Sequence, residues 1–133
     1  VEIRNPELVT ASFYEMLREL GVAPAFSLWT KMPSITEQWN ACLQGGGVAP
    51  GLPYVGIGLT RPGRSYEESV RLFQPYREIK DIYAEAREEL AILGGFALQE
   101  GRKAYLLLNN RLEGSAPHSV GAVAELIRQR KRV

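Results

Sequence analysis

Four short runs built like strands set the frame for this chain: Val1–Arg4, Val22–Trp29, Tyr54–Thr60 and Lys103–Leu108. Each is separated from the next by a stretch long enough to hold a helix, whereas a hairpin needs only a few residues. The spacing therefore calls for crossover connections and a parallel sheet of βα units. The intervening stretches carry helix punctuation. Ser12-Phe13-Tyr14-Glu15 reads as a capping box, Phe13, Met16, Leu17 and Leu20 follow at helical spacing, and Gly21 stands where a glycine closes a helix. Ser34–Leu43 reads as a short helix with Pro33 and Ser34 at its start. Ser65 caps another that begins near Tyr66 and is interrupted by Pro75. A long helix is expected from about Asp81 to Gln99, facing inward through Ile82, Ala86, Leu90, Leu93 and Ala97, and weakened or kinked at Gly94-Gly95. The last helix begins at Pro117, a favoured first helical residue, and packs through Val120, Val123, Ala124 and Ile127. Gln44–Pro53 is rich in Gly and Pro. It lacks the preceding strand and the Lys-Ser/Thr of a phosphate loop, and reads as a surface connection.

Alternation divides each strand into two faces. One set of faces carries Glu2/Arg4, Ser27/Trp29 and Gly56/Gly58/Thr60; the other carries Val1/Ile3, Phe26/Leu28 and Val55/Ile57/Leu59. Charges and small residues on one face, with bulky ones on the other, suit a barrel wall whose helices lie outside. The expected class is α/β, with parallel βαβα units forming about half of a TIM-type (β/α)8 barrel, four strands and four or five helices. A full barrel takes eight such units and about 250 residues. The chain has 133 residues and opens mid-pattern without a methionine, so residues 1–133 are expected to be a single domain, the C-terminal half-barrel of a longer protein. Its open sheet edges then call for the missing N-terminal half or a second copy to cover them.

Composition narrows the partners. A net charge of +1 offers no electrostatic case for nucleic acid. The basic end Arg128–Arg132 complements the negative end of a helix dipole; a nucleic-acid or anionic-membrane patch is the lesser alternative. No run approaches the ~18 apolar residues of a membrane span, and no signal peptide opens the chain. The single cysteine, Cys42, rules out an internal disulfide and fits a reducing, cytoplasmic setting, where it reads as a small hydrophobe.

The sharpest functional edge is Lys103–Pro117, where an apolar strand runs into Asn109, Asn110, Arg111 and Glu113 before Gly114-Ser115 opens a helix. Polar residues gathered at the C-terminal end of a strand are where α/β proteins keep their sites. Together with Val1-Glu2-Ile3-Arg4 and the strand ending near Trp29, the segment Tyr105–Arg111 and its Gly114-x-Ala116-Pro117 resemble the domain-of-unknown-function 72 (YecE-like) family, in its C-terminal half only. The resemblance covers essentially the whole chain and implies a TIM-type barrel of unassigned activity. Its motif positions fall on Glu2, Arg4, Arg61, Asn109, Asn110 and Gly114. Where the family commonly follows the arginine with a His-Gly pair, this chain has Pro62-Gly63-Arg64 after Arg61, so any role of that histidine is absent.

Residue chemistry leaves several roles open. Glu2 and Arg4 share a strand face, either as an ion pair bracing the barrel or as site residues, Glu2 a general base or ligand anchor and Arg4 its orienter or an anion clamp. Asn110 completes the candidate catalytic set. Its amide and that of Asn109 suit a polar substrate, or else cap the loop and the following helix. Trp29, Arg61, Asn109, Arg111, Glu113 and Gly114 are the candidate substrate-binding residues. Trp29 offers a stacking face, Arg61 and Arg111 anion contacts near a helix start, and Glu113 a second carboxylate beside Glu2. His118 is the only histidine, so neither a metal cluster nor a Ser-His triad is expected; no cofactor is indicated. The expected function is an enzyme acting on a small polar substrate, sugar-like or phosphorylated, at the C-terminal strand ends. The alternative is a non-catalytic ligand-binding or scaffold protein.

Overall fold

A computed structural model describes residues 1–131, an α/β fold on a three-stranded parallel sheet. The strands are β1 (Ala25–Leu28), β2 (Tyr54–Gly58) and β3 (Ala104–Leu108), neighbours in that order. Six helices accompany them among the described residues: α1 (Ala11–Glu19), α2 (Ile35–Gln44), α3 (Tyr66–Phe73), α4 (Ala84–Gln99), α5 (Asn110–Glu113) and α6 (Ala116–Lys131). No described helix is long and apolar enough to cross a membrane. Of the basic end, Arg132 lies outside the described residues.

The first expected strand falls short. Val1–Arg4 meets β1 through one parallel bridge, Glu2 to Ala25, with the Ala25 N–H donating to the Val1 carbonyl at 2.7 Å. Asn5 sits extended before Pro6, and Pro6–Leu8 coils into a short 3-10 turn, which ends the pairing. Three strands and a bridged N-terminal segment therefore stand where four strands were expected.

Local caps behave largely as their chemistry demands. Ser34 with Glu37 and Ser65 with Glu68 form reciprocal capping boxes on α2 and α3. Gly21 (φ +65°) closes α1, its N–H donating to Arg18 while Val22 donates to Leu17, the paired bonds of a Schellman end. The opening of α1 differs from expectation. Thr10, not Ser12, is the cap, its hydroxyl accepting from the Phe13 N–H at 3.3 Å, and Ser12 lies inside the first turn. α4 begins at Ala84, later than expected, and Ile82 is exposed. It runs unbroken through Gly94-Gly95. The glycines are spacers here: a Cβ on Gly94 would stand 2.7 Å from Ile127 of α6, so the missing side chain lets the two helices close together. The expected packing residue Val120 of α6 is exposed, whereas Val123 is buried.

Register sets the sheet faces, and one expectation is reversed. Phe26 pairs with Gly56 and Gly56 with Leu106, while Leu28 pairs with Gly58 and Gly58 with Leu108, so these residues share a face. That face is the helix-covered one. Tyr14 of α1 and Trp39 of α2 pack on Phe26, while Leu90 and Leu93 of α4 reach Gly56. Gly56 and Gly58 thus face the helices, not a barrel axis. A Cβ on Gly56 would meet Leu90 at 2.8 Å and one on Gly58 would meet Leu112 at 2.8 Å, so large leucines of α4 and α5 occupy the space a side chain would need. Val55 and Ile57 fall on the opposite face with Ala25, Ser27, Tyr105 and Leu107, while Leu59 lies past the end of β2. On that opposite face Tyr105 and Leu107 remain about half exposed, at 52% and 53%. The helices pack on one side of the sheet, and its other apolar face is bare at β3, although Ser27 of β1 is fully buried there and Val55 and Ile57 are half-buried.

Candidate functional site

A groove of about 320 Å³ opens beyond the C-terminal ends of β1 and β2. Two stacked pairs border it. The Arg4 guanidinium lies 5.5 Å over the Trp29 ring, and the Arg111 guanidinium 4.6 Å over the ring of Tyr66. Leu59, Thr60, Thr30 and Ser65 complete the lining. Each arrives by a local rule. Trp29 and Thr30 follow the last residue of β1, Thr60 lies just past β2, and Ser65-Tyr66 is the cap and first turn of α3. Asn109 swings Arg111 into place, because its side-chain oxygen accepts from the Arg111 N–H at 3.0 Å and starts α5 directly after β3.

Glu2 stands behind Arg4, accepting from its Nε at 3.3 Å, with the arginine half exposed to solvent. Thr30 donates to the Arg64 carbonyl at 2.9 Å, which ties the β1 end to the turn before α3. The Thr60 hydroxyl and the Arg111 Nε are both buried without a hydrogen-bond partner. Among the described residues, no carboxylate, histidine or cysteine lines the groove.

The other residues expected at the site are engaged elsewhere. Arg61 pairs with Asp81 at 3.2 Å and stacks on Tyr83 at 4.6 Å; Arg64 meets the same carboxylate oxygen at 2.6 Å. The hydrogen bond from Arg64, with the charges of Arg64 and Arg61, holds the Asp81 carboxyl below its usual range. Asn110 accepts from the Ala116 N–H at 2.7 Å, tying down the start of α6, so its carbonyl oxygen is spent on a cap.

Glu113 requires a correction as a substrate-binding residue. Its side chain is fully buried, held by Arg87 through bonds of 2.8–3.0 Å, by the Tyr83 N–H at 2.7 Å and by the Ser119 hydroxyl at 2.5 Å. It is the missing cap of α4, supplied from across the fold. Gly114 likewise serves the backbone. It adopts φ +119°, and a Cβ there would lie 2.4 Å from the Glu78 carbonyl oxygen.

Two further features are better explained by structure than by chemistry. Ser115 and His118 meet at 2.7 Å at the start of α6, but no carboxylate hydrogen-bonds the ring among the described residues, so a triad is not assembled. Burial pushes the Cys42 thiol up to about 11, which keeps it protonated and inert near neutrality. No group of three His, Cys, Asp or Glu side chains among the described residues is arranged to hold a metal ion.

The structure thus brings Arg4, Trp29 and Arg111 together, with Glu2 behind. Thr60 and Tyr66 were missed by sequence reasoning, although their positions just past a strand and just inside a helix start were a usable signal. Comparison with family models, with curated proteins and with solved structures found no match.

Proposed function

We propose that this chain is a wall of a TIM-type barrel that binds a small polar ligand, sugar-like or phosphorylated, in the groove at its C-terminal strand ends. The observation that carries the reading is the convergence there of two aromatic rings and two arginines from four separate stretches of chain. Support for the barrel comes from the one-sided sheet. Doubly wound sheets bury both faces under helices, whereas a barrel keeps its helices outside and fills its interior with Val, Ile and Leu side chains, as the bare face offers here. The resemblance to the YecE-like family points the same way. On this reading the bare face and the free edge of β3 are completed by further strands, from an N-terminal half or from a second copy. Light scattering reports the second copy; a monomer in solution removes that option.

As an enzyme, the chain has Glu2 as its acid–base group, with Arg4 orienting it and Asn110 reduced to holding the rim. A non-catalytic binding role is favoured by one observation, that the groove lining among the described residues holds no carboxylate, histidine or cysteine. Tryptophan fluorescence tests the binding reading. Trp29 lines the groove while Trp39 lies half-buried against the core, so in a Trp39→Phe background a panel of neutral sugars and sugar phosphates reads Trp29 alone. A saturable change lost in Arg111→Met supports the site; no response to any ligand refutes it. Glu2→Gln separates the two roles, since it should leave binding intact and abolish any turnover found.

A further inference from the structure

Among the half-buried arginines of the described residues, ion pairing is complete with one exception, which lies in the groove. Arg61, Arg64, Arg87 and Arg102, all half-buried, each face a carboxylate within 3.2 Å. Arg111 is also half-buried, yet no carboxylate lies within ion-pair distance of it among the described residues. Its Nε is buried and has no acceptor. Desolvating a guanidinium donor without an acceptor is costly, so a group that supplies one would be bound strongly. The stack on Tyr66 holds the guanidinium plane and leaves its in-plane N–H edge as the reactive side.

A second orphan lies in the same lining. Thr60 is only 4% exposed, and its hydroxyl has no partner. The Ser65 hydroxyl accepts from the Glu68 N–H and its own proton goes to the Glu68 carboxylate, so it is spent on the cap of α3. Arg4 uses its Nε on Glu2, which leaves its terminal nitrogens available. The groove therefore holds two guanidinium groups and one unpartnered hydroxyl, with no carboxylate in its lining among the described residues. An acceptor with several oxygens and a full negative charge satisfies all of them; a neutral sugar hydroxyl satisfies one at a time.

The geometry points to a phosphoryl-binding subsite, in which Arg111 and Thr60 hold the phosphate of a small phosphate monoester while the Trp29 and Tyr66 rings flank its organic part. This rests on the groove being a ligand site and goes further by naming the charged group. Planar bidentate recognition of this kind needs an arginine, and lysine replaces its charge without its fork.

The test uses the Trp39→Phe protein and three probes at constant ionic strength: inorganic phosphate, a hexose phosphate and the matching free hexose. The expected result is saturable binding of the hexose phosphate, competed by inorganic phosphate but not by the same ionic strength of chloride. Arg111→Lys should weaken it about tenfold or more, and Thr60→Val by a smaller factor, the loss of hydrogen bonds to a charged group. If the free hexose binds as well as its phosphate and both variants bind it normally, the phosphoryl subsite is overturned while the groove stands as a ligand site. If chloride competes equally, the attraction is unspecific screening and the subsite is overturned. If none of the probes binds, the groove reading falls and the subsite with it. Far-UV circular dichroism of both variants distinguishes lost binding from lost fold.

Discussion

Replacing Glu113 by alanine tests how the rear of the site is held. The carboxylate has no exposure to solvent and takes hydrogen bonds from Arg87, the Tyr83 N–H and the Ser119 hydroxyl. Its removal leaves three donors with nothing to bond, one of them charged and one the amide of Tyr83, the residue that caps the sixteen-residue helix α4. Breaking a buried pair by removing one partner costs about 3–5 kcal/mol. Arg87 keeps 17% of its side chain in solvent and recovers some hydration, which places the expected loss near the lower end, about 3 kcal/mol. Against a total of about 5–15 kcal/mol for a domain of this kind, that is a large fraction. It corresponds to a fall in Tm of roughly 10 °C.

Urea denaturation followed by circular dichroism measures it directly. The same reasoning predicts that Glu113→Leu combined with Arg87→Met recovers the part of the loss due to the unpaired charge, because an apolar pair removes both charges together, while the Tyr83 N–H and the Ser119 hydroxyl stay unpaired. An alanine variant within about 1 kcal/mol of the wild type, or a double variant as unstable as the sum of the two single ones, would refute the buried-pair account.

Three other substitutions probe separate parts of the fold. Gly95→Ala should raise stability by about 0.5–1 kcal/mol through helix propensity, since its Cβ meets nothing closer than 3.9 Å. Gly94→Ala should lose that gain or destabilise by about 1 kcal/mol, because Ile127 stands 2.7 Å away; equal effects at the two positions contradict close α4–α6 packing. Gly114→Ala should cost about 2–4 kcal/mol, combining a left-handed φ with a backbone oxygen that cannot move aside, and a neutral thermal melt would count against it. Asp81 has a carboxyl held below its usual range, so its contribution is fully present above the unfolded value of about 3.9 and is lost as pH falls through the lower folded one. Asp81→Asn should flatten that acid limb of the stability profile, and an unchanged limb would show that the Arg61 and Arg64 contacts do not persist in solution.

Features that depend on neighbours along the chain are legible before any fold is known. The caps at Ser34 and Ser65, the glycine closure at Gly21 and the parallel order of the strands all follow from residues a few positions apart or from the length between elements. Arg4 and Trp29 could be named for the site because both lie at strand ends, and strand ends are visible in the pattern. The tertiary structure decided which face of β2 meets the helices. Alternation yields two faces but not their sign, and Gly56 and Gly58 read as an inner lining until Leu90, Leu93 and Leu112 fill the space above them. It also decided the fate of Glu113. A carboxylate in a polar loop looks available until Arg87, 26 residues earlier, closes on it and α4 takes it as a cap. Charge pairing across such distances is set by packing, and packing is also what left Arg111 without a carboxylate and made it the residue of interest.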